Sequence, residues 1–284
     1  MEFNKSGILL EQNTYEREFE RYLDAGNMNL IHIIRCDGKK FSNYTKGFKY
    51  PFDNIFRTTM KRTMLALCEE VQGSFFGYTQ SDEITVMFKK QSPESQIYYN
   101  GRVNKIIGVV SSIVTTAFNN ILMEEYEKTC NEYKEQIMKS NLSLESKISL
   151  VNEFLSKMEV YKNKVGKANF DCKVFSMPRE KAIDNFILRR DNSRVNAISM
   201  IARAHFSHSE LQDIKTEELI SKLAAINVDI NDIDPKYIYG IAAYKKDVIL
   251  YEGQQNECIR LKWVTDEDLS SLSNKEFINL YFNS

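Results

Sequence analysis

The sequence predicts an α+β fold, and three stretches carry that reading. The first, Leu30 to Gly38, is a short Ile-rich run that reads as a buried strand and stops at Asp37-Gly38, a pair that lets the backbone turn. The second couples a helix to a hairpin. Phe56, Met60, Met64, Leu67, Cys68 and Val71 recur at helical spacings, and Ser74 to Phe88 forms two strand-like runs around a polar centre. The third contains Val103, Ile106, Ile107, Val110, Ile113, Val114, Ala117, Phe118, Ile121 and Leu122, an apolar stripe too broad for a surface helix.

The other elements follow in order. Leu9, Tyr15, Phe19, Tyr22 and Leu23 predict an amphipathic helix from Leu9 to Ala25, ended by Gly26. A loop from Gly38 to Phe52 carries Lys39, Lys40, Lys46 and Lys49, and Asp53 is placed to cap the helix from Asn54 to Gln72. After a polar stretch containing Pro93, a long helix is expected from Gln96 to Met123. From Glu124 to Lys167 two charged helices part near Ser140-Asn141, the second striped by Leu144, Ile148, Val151, Leu155, Met158 and Tyr161. A strand from Cys172 to Met177 ends at Pro178, and a helix from Arg179 to Phe206 is expected to break near Asp191-Asn192. Ser209 to Gln212 has capping-box spacing, and Glu217 to Ile226 reads as a short helix. Ile238 to Tyr244 and Val248 to Tyr251 read as a hairpin turning at Lys245 to Asp247, and Glu257 to Val264 adds a strand. The chain divides into 1–123, an inserted helical arm 124–167, and 168–284.

Composition bounds the function classes. With 284 residues, 43% hydrophobic and 27% charged, the chain suits a globular protein with a sizeable core. No apolar run approaches the roughly 20 residues that span a bilayer, so no membrane partner is expected. The first residues, Met1 to Gly7, lack a signal core, and the five scattered cysteines include no Cys-x-x-Cys pair. A cytoplasmic protein with reduced thiols and no zinc site is expected. His205 and His208 lack further metal ligands nearby and read as surface residues. A net charge of −1 argues against extensive nonspecific nucleic-acid binding and leaves room for a local basic groove.

The chemistry centres on Asp37 and Asp82-Glu83. Carboxylates on neighbouring strands suit Mg²⁺, which takes one or two carboxylates plus substrate phosphates. Two such ions stabilise the attacking and leaving oxygens of a phosphoryl displacement. By spacing alone the same residues also read as a solvated turn and hairpin tip. The lysine-rich loop beside them offers point charges to a triphosphate, and a solvated loop is the plain alternative for each lysine.

Arg35-Cys36-Asp37-Gly38-Lys39-Lys40-Phe41, then Pro51-Phe52-Asp53, then Tyr78-Thr79-Gln80-Ser81-Asp82-Glu83 resemble, in that order, the signatures of the tRNA-histidine guanylyltransferase family. The likeness continues through Phe170 to Phe175 and Arg189 to Asn196, spanning roughly Asn29 to Tyr244. The resemblance implies a polymerase-like palm: an antiparallel sheet flanked by helices, with the helical insertion and C-terminal hairpin added. It implies nucleotide addition at an RNA 5′ end, two Mg²⁺ ions held by Asp37, Gly38 and Asp82, and Glu83 catalytic or supporting. Arg35, Lys39, Lys40, Phe41, Ser81 and Lys105 would bind nucleotide, ATP or GTP would serve as substrates, and a homotetramer is expected.

Arg189, Arg190, Arg194 and Arg203 form the densest arginine group. Arginine suits phosphate forks and equally pairs with carboxylates. Arg189, Arg190, Arg194 and Asn196 are the candidate RNA contacts. Members dedicated to tRNA-histidine carry a His-x-Asn-Asn segment, and here Arg194-Val195-Asn196-Ala197 stands in its place. Arginine cannot accept a hydrogen bond as neutral histidine does, and alanine supplies no amide. The leading expectation is therefore a template-dependent 3′–5′ nucleotidyltransferase of the Thg-like branch that repairs truncated tRNA. The alternatives are a tRNA-histidine-specific guanylyltransferase, a palm-type nucleotide cyclase and a non-catalytic RNA-binding relative.

Overall fold

The computed structural model describes residues 20–252, 256–277 and 281. β1 (Leu30–Gly38), β2 (Ser74–Gln80), β3 (Glu83–Phe88), β4 (Phe170–Pro178), β5 (Ile241–Glu252) and β6 (Asn256–Asp266) form one sheet in the order β4-β1-β3-β2-β5-β6. Every neighbouring pair is antiparallel. α1 is a single turn (Phe41–Tyr44), α2 spans Asn54–Glu70 and α3 spans Val103–Lys139. The succession β1-α2-β2-β3-α3-β4, with β3 inserted between β1 and β2, is the split β-α-β arrangement.

β1 reads as a continuous apolar run because both of its faces are covered. Ile34 and Cys36 join Ile84, Val86 and Phe88 in a core with Met60, Met64 and Leu67 of α2 and with Ile106, Val110, Val114, Phe118 and Leu122 of α3. Ile31 and Ile33 face the other way, with Phe76, Tyr78 and Met87. That face is closed by Ala182, Ile183 and Phe186 of α5 (Arg179–His205), by Phe277 of α8 (Asn274–Phe277) and by Tyr281. The second half of α5 buries Ala197, Ile198, Ile201 and Ala202 against Leu219 and Leu223 of α6 (Thr216–Ala224) and Ile238 of α7 (Pro235–Tyr239). α5 thus joins the sheet to a helical unit.

Asp53 caps α2 as expected, accepting from Phe56 N at 2.8 Å. Several expectations need correction. Residues 20–29 form no helix, since Leu23 N donates to Gly101 O at 2.9 Å and Tyr22 bridges Arg102. The earlier part of that expected helix lies outside the described residues. α3 begins at Val103, after a turn over Tyr98–Gly101 with left-handed Tyr99 and Asn100, and continues past Met123 to Lys139. By length and composition α3 could cross a bilayer; here its stripe from Ile106 to Leu122 is buried in the core.

The break at Ser140-Asn141 is present, and α4 spans Leu144–Lys162. Of its stripe only Met158 and Tyr161 are buried, while Leu144 and Ile148 are exposed. α5 is continuous across Asp191-Asn192 because Ser193 is anchored there, its hydroxyl donating to Ile238 O at 2.9 Å. The capping box is Ser207 with Glu210 rather than Ser209 with Gln212. Lys245 to Asp247 is no turn, for β5 runs straight through it and pairs with Trp263 to Leu261 of β6. The turn joining those strands lies outside the described residues.

Candidate active site

The split β-α-β topology brings four acidic residues to one end of the sheet. Asp37 is opposite Glu83 on one side and opposite Asp171 on the other. Asp82 closes the β2–β3 turn, and its carbonyl accepts from Gly38 N at 3.1 Å. Ser81, at the same turn, is left-handed (φ 47°), as is Lys40 (φ 58°) after β1. Such non-glycine conformations cost energy and are common at functional sites. Gly38 has no room for a side chain, since a Cβ there would collide with the Phe41 ring.

The four acids have different fates. Glu83 is buried and engaged by the Arg189 guanidinium, which donates from Nε at 2.9 Å and again from Nη2. Arg35 Nε lies 3.7 Å from the same carboxylate. Among the described residues neither Asp37 nor Asp82 has an ion-pair partner, although the charges of Lys173 and Arg189 act on Asp37 through space. Burial holds the Asp82 carboxyl above its ordinary range and Asp37 adds to the rise, while hydrogen bonds from its own backbone and Ser81 oppose it. Partial burial, then Asp171 and Glu83, raise Asp37 in the same way.

These residues fit a hard divalent cation: two under-neutralised carboxylates and the nearby Gly38 carbonyl are oxygen donors of the kind Mg²⁺ prefers. Among the described residues no group of three or more His, Cys, Asp or Glu side chains makes a metal site alone. Substrate phosphates and water would complete the shell, as is usual for Mg²⁺.

A cleft of about 540 Å³ opens beside the acids. It is lined by residues of the 41–53 loop, among them Lys46, Lys49 and Tyr50, by Ser81 and Asp82, and by Met200 and Arg203 of α5. The loop is fixed from below. Asp53 accepts from Lys49 N at 2.8 Å and from the buried Tyr161 hydroxyl, and Phe48 stacks on Tyr161 at 4.7 Å. A recess of about 70 Å³ adjoins this cleft, sharing Pro51, Asp53, Phe56, Ser81 and Met200 with it.

The structure brings some expected residues to this site and places others elsewhere. Asp37, Gly38, Lys39, Lys40, Ser81 and Asp82 gather at the sheet end, with Lys39 and Lys40 exposed. Phe41 lines the cleft while its ring is buried among Tyr44, Phe56, Phe118 and Phe170. Arg35, expected on nucleotide, donates to Asn185 Oδ1 at 2.7 Å and lies over the Phe175 ring. Lys105 is on the first turn of α3, over the Tyr99 ring. The Thr115 hydroxyl that meets Phe170 N near Gly38 is ten residues further on, about 15 Å along the helix. Lys105 is therefore remote from the acids in this chain.

Two of the expected RNA contacts are also engaged internally. Arg189 is tied to Glu83, and Arg190 bonds the Leu272 carbonyl and Asp191. Arg194 is half-buried, and exposed Asn196 lines the recess beside Ser81. The sequence does not single out Asp171 or Arg57, and it marks Arg203 only as one of the arginine group. Asp171 stood within the Phe170-to-Phe175 likeness, but only the β1–β4 register sets it against Asp37.

A split antiparallel sheet with paired carboxylates at one end and a basic cleft beside them defines a palm-type nucleotidyltransferase. Residues 13–178, more than half of the chain, match the family model of the tRNAHis guanylyltransferases, and the chain belongs to that family of nucleotidyltransferases. An uncharacterized protein of Acanthamoeba polyphaga mimivirus is 27% identical over 258 residues, covering 86% of this chain and 79% of that protein. The tRNA(His) guanylyltransferase 2 of Arabidopsis thaliana is 31% identical over 121 residues, covering 42% of this chain and 22% of that protein. The fold resembles a bacterial tRNA(His) guanylyltransferase (Thg1)-like protein solved with ATP, with TM-score 0.69, 24% identity and coverage of 92% and 91% of the two chains. The Saccharomyces cerevisiae tRNA(His) guanylyltransferase matches with TM-score 0.58, 15% identity and coverage of 87% and 95%.

Proposed function

We propose that this chain is a template-dependent 3′–5′ nucleotidyltransferase that rebuilds the 5′ end of truncated tRNA. The observation that carries the reading is the proximity of Asp37 to Asp82, two carboxylates without an ion-pair partner among the described residues, at the mouth of a nucleotide-sized basic cleft. In the reaction, a 5′-monophosphate RNA end is activated by ATP or GTP. The 3′-hydroxyl of an incoming nucleoside triphosphate then attacks the activated 5′-phosphate and displaces the activating group. Asp37, Asp82 and the Gly38 carbonyl would hold Mg²⁺, which neutralises phosphate charge and favours the alkoxide form of the attacking hydroxyl when bound. The protein's own part is placement. Lys46, Lys49 and Arg203 line the cleft as counter-charges to phosphate oxygens, and the Asp53–Tyr161 contact holds the loop that presents two of them.

Broad tRNA usage follows from the hydrogen-bond acceptor missing at Arg194 and the amide missing at Ala197, since a site lacking its specific hydrogen-bonding partners loses discrimination. We place the enzyme in the cytoplasm, as a homotetramer. The test is incubation with 5′-truncated tRNAs of different anticodons, the four nucleoside triphosphates and Mg²⁺, followed by sequencing of the 5′ ends. Restored ends on several tRNAs, abolished by Asp37→Ala or Asp82→Ala, are expected. A cyclic nucleotide formed without RNA, or restoration confined to the histidine anticodon, would overturn the reading.

A further inference from the structure

The recess beside the cleft contains a charged group that has no ion-pair partner among the described residues. Arg57, on α2, is only 8% exposed, and its Nη1 has no hydrogen-bond partner. Among the described residues no carboxylate lies within ion-pair distance of its guanidinium. Glu267, whose charge acts on it, is taken by Lys61 at 2.8 Å and Lys236 at 3.7 Å. Burial pushes the Arg57 guanidinium below its ordinary pKa, yet arginine stays protonated at neutral pH. A buried, unpaired guanidinium is costly unless a ligand supplies the missing acceptor.

The surroundings indicate which ligand. Arg57 lines the recess together with Phe52, Phe56, Met200 and Tyr237. Phe52 and Tyr237 stack at 4.9 Å and 16°, and the guanidinium lies over the Tyr237 ring at 5.8 Å. Polar Asp53, Gln80, Ser81, Ser193 and Asn196 complete the lining, and this mixture of aromatic faces and polar edges around the guanidinium suits the face and edge of a planar heterocycle better than a tetrahedral phosphate. Guanidinium donors pair bidentately with the O6 and N7 acceptors of guanine, whereas adenine offers N7 beside an amino donor that repels them. The recess opens on the cleft through Ser81, Asp53 and Met200, so a nucleotide with its phosphates at Asp82 can turn its base inward.

We propose that Arg57 reads the O6/N7 edge of the base of the activating nucleotide bound in the cleft, making this chain prefer guanosine over adenosine triphosphate in that role. The inference rests on the nucleotidyltransferase reading above. It makes Arg57 a specificity-determining residue, separate from the carboxylates that handle phosphate.

Equilibrium binding of GTP, ITP, 7-deaza-GTP and ATP to the full chain with Mg²⁺, without RNA, tests it. GTP and ITP should bind about ten- to a hundred-fold more tightly than ATP. ITP keeps O6 and N7 but lacks the 2-amino group, so its parity with GTP assigns the preference to that edge. 7-Deaza-GTP, lacking the N7 acceptor, should fall between GTP and ATP. Arg57→Met, which keeps similar bulk and removes a buried charge, should abolish the advantage of GTP over ATP. ATP binding as tightly as GTP to the unaltered protein, or a GTP advantage that survives Arg57→Met, would overturn the proposal. If Arg57→Met does not fold, the analogue series on the unaltered protein decides. Absence of binding by all four triphosphates would instead overturn the nucleotidyltransferase reading.

Discussion

Asp82 resists ionisation, because burial and the charge of Asp37 both raise its pKa. Such a carboxyl binds its proton more tightly in the folded chain than in the unfolded one. Stability therefore declines as pH rises from the ordinary aspartate range, near 3.8, through the raised value. Asp82→Asn should raise the melting temperature of metal-free protein at pH 7 by a few degrees while abolishing nucleotide addition; a lower melting temperature counts against the assignment. Asp171 contributes to the raised pKa of Asp37 across the β1–β4 register. Asp171→Asn should move the acid limb of the kcat/KM profile to lower pH. An unmoved limb would remove Asp171 from the site's electrostatics. Asp37 and Asp82 were legible in the sequence because each occupies a turn that local residue types announce. Asp171 and Arg57 were not, since one depends on strand register and the other on what α2 packs against.

At the scale of elements, the β2–β3 hairpin and α5 are fastened by Glu83 and Arg189. Glu83's side chain is 7% exposed and Arg189's 27%, so the pair is shielded from most screening by solvent. Removing either partner strands the other, although Arg35 partly covers Glu83. Glu83→Ala and Arg189→Ala should each destabilise the protein, and the double variant should fall short of their sum by about 1–3 kcal/mol in urea unfolding. Additive losses would mean that the two are independent. The hairpin itself was legible from alternating runs around a polar centre. The expected break in α5 was not a real one, because Ser193 and the packing of Ala197 and Ile198 outweigh the weak helix propensity of Asp191-Asn192. The β5–β6 turn was misplaced for a related reason. Lys245 to Asp247 look like turn residues locally, but pairing with β6 carries them as strand.

For the whole molecule, ligand binding and folding are linked. On the proposed function, nucleotide with Mg²⁺ would engage groups contributed by β1, the hairpin, the 41–53 loop and α5, so GTP and Mg²⁺ at 100 times Kd should stabilise the chain by about 2.7 kcal/mol. Mg²⁺ removal by chelator should reverse most of the melting shift; a shift indifferent to chelation would sink the metal assignment. α5 has one further consequence, which concerns angular phase. Counted from Arg189, the residues Ser193, Asn196, Met200 and Arg203 lie four, seven, eleven and fourteen residues further along a continuous helix. At about 100° per residue they stay within about 40° of a single line. Arg189 fastens the acidic end of the sheet, and the other four line the recess or the cleft. One alanine inserted after Arg190 would rotate everything beyond it by about 100° and advance it by about 1.5 Å. The helix therefore sets the azimuth of half the nucleotide site from an anchor at the other half, and its length is as strict a requirement as its composition.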